Sequence, residues 1–312
     1  MPETLSNRQV LELFIAYIER ERRYSPLTVR NYRHDIERFI AWGELTSGKE
    51  QFLLLEAKGS DVREWIMWLS DSGKMKNASI NRAVSSLRSM YRFLRKRELI
   101  ERDIFPTVNS LRNSRRLPVF VAEQAMQEVV AQVMEHLSSG EWLKRRNAMI
   151  ILMLYGCGLR LAELTAIDKD DFSDNFSRLV VLGKGDKERI IPIVERIRIE
   201  LKKFIDANYP ENICIYDEKA LFLSKQGARI SRSDVQRSVA RFLRESGVQG
   251  KVSPHVLRHT FATHLLNNGA DLREIQELLG HSSLRATQVY THSNIAQLQH
   301  IYAAAHPRSE EK

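Results

Sequence analysis

Apolar side chains recur three and four positions apart through most of the first hundred residues. Val10, Leu13, Phe14, Tyr17 and Ile18 form one such stripe, which predicts an amphipathic helix with that face inward. Ser25 and Pro26 read as an N-cap followed by a first-turn proline. A second stripe follows in Val29, Tyr32, Ile36, Phe39 and Ile40. Val62, Trp65, Ile66 and Leu69 mark a third helix over 61–69, and Ile80, Val84, Leu87, Tyr91 and Leu94 a fourth. Beyond residue 120 the pattern becomes mixed. Helices are predicted over 123–137 and 142–155, then a glycine break at Gly156 and Gly158, then a short helix within 159–167. Two β-branched runs, 178–182 and 188–193, flank Gly183-Lys184-Gly185-Asp186-Lys187 and predict a hairpin. From Val194 onward the pattern predicts helix, apart from a short apolar piece at 221–223. Ser253-Pro254 caps a helix ending near Gly269, and Asp271 caps another ending at Gly280. The expectation is a mainly α protein with a small β element.

Charge sharpens that picture. Among 312 residues, 48 Lys and Arg against 39 Asp and Glu give a net charge of +9, which favours an anionic partner. Residues 1–108 carry +4 and residues 120–312 carry +2, whereas 109–119 carry three arginines and no acid. That middle piece also contains Asn109, Ser110, Asn113, Ser114 and Pro118, a linker composition. Two domains are therefore expected, 1–108 and 120–312, joined by a basic linker. The longest apolar stretch, 148–155, falls short of the about 20 residues that a membrane span needs. The first residues lack an apolar signal-peptide core. Cys157 and Cys214 are too few for a disulfide framework or a cysteine zinc site. The expected setting is cytoplasmic.

Candidate chemistry lies in five places. On the fourth helix, Arg82, Ser85, Ser86, Ser89 and Arg92 fall opposite the apolar stripe and suit close approach to phosphates, although an ordinary solvated face has the same pattern. Arg160 follows a glycine break, and Glu163 lies three residues on, where it can orient the guanidinium; a plain surface ion pair has that spacing too. Lys184 sits between two glycines, in what is also ordinary turn composition. His255 and Arg258 share a helix face, with His255 in the first turn. His255 and His259 are also spaced as zinc ligands, but no Glu follows His255 and no third ligand is evident. The fifth segment runs from Gly280-His281 to Tyr290-Thr291-His292, in which a helical tyrosine is ordinarily structural. Taken together, two arginines, a lysine, two histidines and a tyrosine suit attack by tyrosine on a phosphodiester.

At this point the chain resembles the tyrosine recombinases of the phage-integrase family, most closely the bacterial Xer-type enzymes. Four segments carry the resemblance in the family's order: Gly-Leu-Arg-x-x-Glu-Leu at 158–164, Gly-Lys-Gly-x-Lys-x-Arg at 183–189, His-x-x-Arg-His-x-Phe-Ala-Thr-His at 255–264, and Leu-Gly-His-x-Ser to Tyr-Thr-His at 279–292. The resemblance implies that Arg160 and Arg258 bind the scissile phosphate and that Lys184 is the general acid. It makes His255 the histidine of general-base work, His281 a hydrogen-bond donor to the phosphate, Glu163 the supporting acid and Tyr290 the nucleophile. It implies an all-helical core-binding domain and an α+β catalytic domain that clamp duplex DNA, with no cofactor and no metal. Partners implied are double-stranded DNA, a homo- or hetero-tetramer on two sites, and a tail whose stripe of Ile295, Leu298, Ile301 and Tyr302 docks on a neighbouring protomer. An accessory protein fits the same picture. The implied role is chromosome-dimer resolution. Inversion or mobile-element integration uses the same machinery, and a non-catalytic DNA-binding protein or a type IB topoisomerase stands outside it.

Overall fold

The computed structural model describes residues 5–46, 52–71, 75–105, 108–111, 120–183, 188–207, 209–210 and 213–280. The chain divides into two compact units, Met1–Arg116 and Leu117–Lys312. Among the described residues no helix is long and apolar enough to cross a membrane.

The first unit is helical. Helix α1 (Asn7–Ala16) begins at Ser6, whose side chain accepts from the Gln9 backbone while Gln9 reaches back to the Ser6 N–H, so two free donors are satisfied reciprocally. It runs on as a π turn, Tyr17–Glu21. Then come α2 (Pro26–Thr46), α3 (Gly59–Asp71) and α4 (Asn77–Lys96). Trp65, Phe14, Phe39, Ile36 and Leu87 are completely buried at the centre. Two details depart from the sequence expectation. Leu13 is 47 % exposed, whereas Leu11 and Ile15 are buried, because α1 packs against α2, α4 and the short turn Leu54–Glu56 together and its buried face is displaced. Ser86, expected on the solvent face of α4, is fully buried.

The second unit is built around α6 (Trp142–Gly156), a helix apolar on nearly every side and packed against α5 (Glu123–Leu137), α8 (Glu195–Asp206), α9 (Arg232–Glu245) and α10 (Pro254–Asn267). A break at Cys157–Gly158 turns the chain into the short α7 (Leu161–Ala166). The antiparallel hairpin of β1 (Arg178–Leu182) and β2 (Glu188–Pro192) pairs Val180 with Ile190 and Leu182 with Glu188. Between α8 and α9 the chain is not helical as expected. It runs irregularly and makes isolated bridges from Ala220 to Asp168 and from Leu223 to Arg229, and Leu221, Phe222 and Leu223 are buried there. Arg229 fixes this stretch by ion pairs to Asp168 and Asp217 and by hydrogen bonds to the Ala166 and Ile167 carbonyls. The last described helix is α11 (Leu272–Leu278), capped by the Asp271 side chain.

Candidate active site

Each side chain here is placed by a local rule. Gly158 adopts φ +57, and a Cβ there would lie 2.6 Å from the Phe261 ring, so only glycine allows α6 to stop and α7 to start so abruptly. Arg160 occupies the N-cap position of α7. Glu163 in the first turn reaches back, its Oε2 accepting from the Arg160 backbone N–H at 2.7 Å. On α10, Ser253 is the N-cap and Pro254 opens the helix, as the sequence predicts. His255 consequently stands exposed on the first turn, and one turn on Arg258 is buried. Among the described residues no hydrogen bond or ion pair reaches the His255 ring. His264 is structural: its Nδ1 meets the Tyr155 hydroxyl at 3.0 Å and its Nε2 the Val121 carbonyl at 3.0 Å. A carbonyl only accepts, so Nε2 carries the proton, and burial lowers the ring's pKa.

Three arginines from three elements meet at Glu163. Its Oε1 accepts from Arg160 Nη1 at 2.7 Å and from Arg189 Nη1 at 2.6 Å, and its Oε2 accepts from Arg189 Nη2 at 2.8 Å. Arg258 Nη1 lies 3.8 Å from Oε2. The Glu163 side chain is only 3 % exposed. Burial alone would raise its pKa, but the hydrogen bonds and charge of Arg189 and Arg160 win and hold it at about 2. The Arg258 pKa falls too, but for this group that is away from its charged form. Burial, then the neighbouring Arg160 charge, brings it down to about 10, against the opposing pull of Glu163.

The same arginines cap α11. The carbonyl of Leu278 accepts from Arg189 Nε, that of Leu279 from Arg258 Nη2 and that of Gly280 from Arg160 Nη2. The first two are carbonyls a helix leaves unpaired at its C-terminus, and Gly280 follows the C-cap. Arg258 Nη1 also donates to the Gly158 carbonyl at 2.5 Å. Three guanidiniums against one carboxylate leave two positive charges in surplus, and the Arg160 side chain remains 33 % exposed. Such a cluster is built to receive an anion.

Of the residues singled out from sequence, Arg160, Glu163 and Arg258 come together here. Lys184, His281, Tyr290 and the tail stripe at 295–302 lie outside the described residues. Among the described residues no three His, Cys, Asp or Glu gather as a metal site, His255 and His259 included. Arg189 was missed as a site residue, although it ends one of the quoted motifs. Its signal was register: it shares the inward face of β2 with Ile191, where a cation needs a buried counter-charge.

The face of α4 takes a correction. Arg82 donates to the buried Asp35 carboxylate at 2.6 Å and 3.0 Å, and Ser86 Oγ donates to the same carboxylate at 2.9 Å. Two members of the expected phosphate-facing set thus serve a carboxylate on α2, although the Arg82 side chain stays 44 % exposed. Arg92 is exposed and makes no ion pair among the described residues.

Comparison with known proteins identifies the family. The model of the phage integrase family matches residues 124–297, and that of the phage integrase N-terminal SAM-like domain matches residues 11–98. The tyrosine recombinase XerC of Pediococcus pentosaceus is 36 % identical over 303 residues, covering 96 % of this chain and 99 % of the relative. That of Alcanivorax borkumensis is 35 % identical over 308 residues, covering 97 % and 95 %. The chain belongs to the phage integrase family. Among solved structures, the Tn1549 transposon integrase in complex with circular intermediate DNA aligns with a TM-score of 0.67 at 20 % identity, over 93 % of this chain and 98 % of that one. The XerH recombinase bound to its difH substrate aligns with a TM-score of 0.63 at 20 % identity, over 89 % and 80 %. At that identity the likeness is one of fold.

Proposed function

We propose that this chain is a site-specific DNA recombinase that breaks and rejoins strands through a 3′-phosphotyrosyl intermediate. The observation that carries the reading is the cluster of Arg160, Arg189 and Arg258 around Glu163, whose surplus positive charge suits a phosphodiester's non-bridging oxygens. The Tyr290 phenol oxygen forms a bond to phosphorus as the bond from phosphorus to the 5′ oxygen breaks. The phenolic proton passes to His255, and Lys184 supplies a proton to the departing 5′ oxygen. The 5′ hydroxyl of a partner strand then attacks the phosphotyrosine and releases Tyr290. Each ester is exchanged for another, so the chemistry asks for neither a nucleotide cofactor nor a metal.

Chromosome-dimer resolution is the role favoured by the XerC names of the curated relatives. It would engage duplex DNA with both units, in the cytoplasm, through four protomers on two sites and a Holliday junction. The tail beyond Tyr290 would link neighbouring protomers, with or without an accessory protein.

The test is adduct formation on a duplex recovered from a random-sequence library by binding to the full-length protein. Tyr290→Phe should bind that duplex as the parent does and form no covalent adduct; an adduct in the variant removes Tyr290 from the role. Lys184→Ala should slow cleavage by about 10²–10⁴, the usual reach of acid–base catalysis. A bridging 5′ sulphur, which leaves without a proton, should restore most of that rate. Equal slowing on both duplexes would make Lys184 an electrostatic group instead.

A further inference from the structure

Arg189 differs from the other two arginines in how it meets Glu163. Both of its terminal nitrogens grip Glu163 in a parallel fork, and Nε holds the Leu278 carbonyl at 3.1 Å. Its side chain is 11 % exposed, against 33 % for Arg160 and 7 % for Arg258. Gly280, at φ +63, allows this approach, since a Cβ there would lie 3.1 Å from Arg189 Cδ. Arg160, by contrast, gives Glu163 a single side-chain hydrogen bond from Nη1, and Arg258 stands 3.8 Å away.

A buried carboxylate takes the best fork available, because paired charge-assisted bonds are the strongest it can accept. With Arg189 gone, the nearest guanidiniums are Arg160 and Arg258. Glu163 would close on them, cancel one positive charge and occupy nitrogens that face the anion. We propose that Arg189 is a positioning residue for strand cleavage, one that satisfies Glu163 so that Arg160 and Arg258 stay open to the scissile phosphate. This rests on the recombinase reading and adds a mechanism by which the phosphate site is kept empty of its own carboxylate.

The proposal separates from a merely structural staple by charge compensation. Glu163 and Arg189 form a neutral pair, so removing both charges leaves the surplus at the site as it was, whereas removing Arg189 alone lowers it by one. Covalent adduct would be measured in single turnover with the full-length protein on a nicked duplex of the selected sequence, alongside duplex affinity and thermal melting. Arg189→Met should lose about 10²–10³ in cleavage rate, the scale for one lost anion-stabilising donor, with affinity changed less than about threefold. Arg189→Met with Glu163→Gln should return to within about tenfold of the parent. Arg189→Lys, which keeps the charge but not the fork, should lose about tenfold and decides the matter if Arg189→Met melts early. A double variant slower than Arg189→Met, or Arg189→Lys as slow as Arg189→Met with melting unchanged, overturns the proposal. A parent protein that forms no adduct overturns the recombinase reading, and this inference falls with it.

Discussion

Among the described residues each unit buries one carboxylate under arginine, and the two sites are balanced differently. In the first unit, Asp35 is fully buried and meets one guanidinium, Arg82, and one hydroxyl, Ser86, so charge matches charge. In the second unit, Glu163 meets three guanidiniums. The first arrangement ties α2 to α4 and leaves no net charge. The second ties α7, β2 and α10 together and, among the described residues, leaves two positive charges without a counter-charge. A buried pair alone is weak evidence of function, since its desolvation cost offsets much of its attraction. Surplus charge is different: it is costly in the empty protein and is relieved when an anion arrives.

The largest expected contrast is in catalysis. Arg160→Ala removes a surplus cation and should slow adduct formation by about 10²–10³. Asp35→Asn, measured on the same duplex, should change the rate less than about tenfold. A comparable loss at Asp35 would make the first unit part of the chemistry and dissolve the distinction.

Stability should rank the sites in the same order. Glu163→Gln leaves three guanidiniums with no counter-charge and should cost about 3–5 kcal/mol in denaturant unfolding. Asp35→Asn should cost about 1–3 kcal/mol, because the half-exposed Arg82 can turn to water. Acid titration reads the Glu163 site without mutation. Its carboxyl sits at about 2 when folded, below its ordinary value of 4.5, so its stabilisation is complete above about pH 4.5 and is lost as pH falls toward 2. That contribution is about 3 kcal/mol and should be absent from the pH profile of Glu163→Gln.

The smallest effect concerns salt. If the outer face of α4 meets DNA, Arg92→Ala should flatten the slope of log K against log salt by about 0.9, one phosphate contact. Asp35→Asn frees Arg82 and should steepen it by up to the same amount. Slopes unchanged in both variants would return that face to solvent.

Local features of this fold were legible in the sequence because they are written locally. The capped start of α10, the glycine break before α7 and the β1–β2 hairpin each need only neighbouring residues. What escaped depends on partners distant in the chain. Ser86 and Arg82 read as a polar surface because their acceptor, Asp35, lies on another helix. Leu13 was placed inward because nothing in α1 alone says which neighbours flank it. The run between α8 and α9 reads as helical apart from 221–223, and the bridge from Ala220 that helps keep it irregular goes to Asp168, far back in the chain. In the catalytic set, the motif order pointed to Arg160, Glu163 and Arg258, but Arg189 acquires meaning only when β2 is laid beside α7.

The three carbonyls at the end of α11 bear on when this protein becomes active during its own synthesis. A helix of seven residues is too short to persist alone. Its end is held by Arg160, Arg189 and Arg258, residues translated 120, 89 and 21 positions before the carbonyls they hold. Domains fold as units while the chain emerges, and here the arginines wait, without their final acceptors, until residue 280 has left the ribosome. An unfinished chain therefore carries cations but no ordered phosphate pocket. On the proposed mechanism, competence to cut DNA would come only after this point, since Tyr290 follows it in the chain.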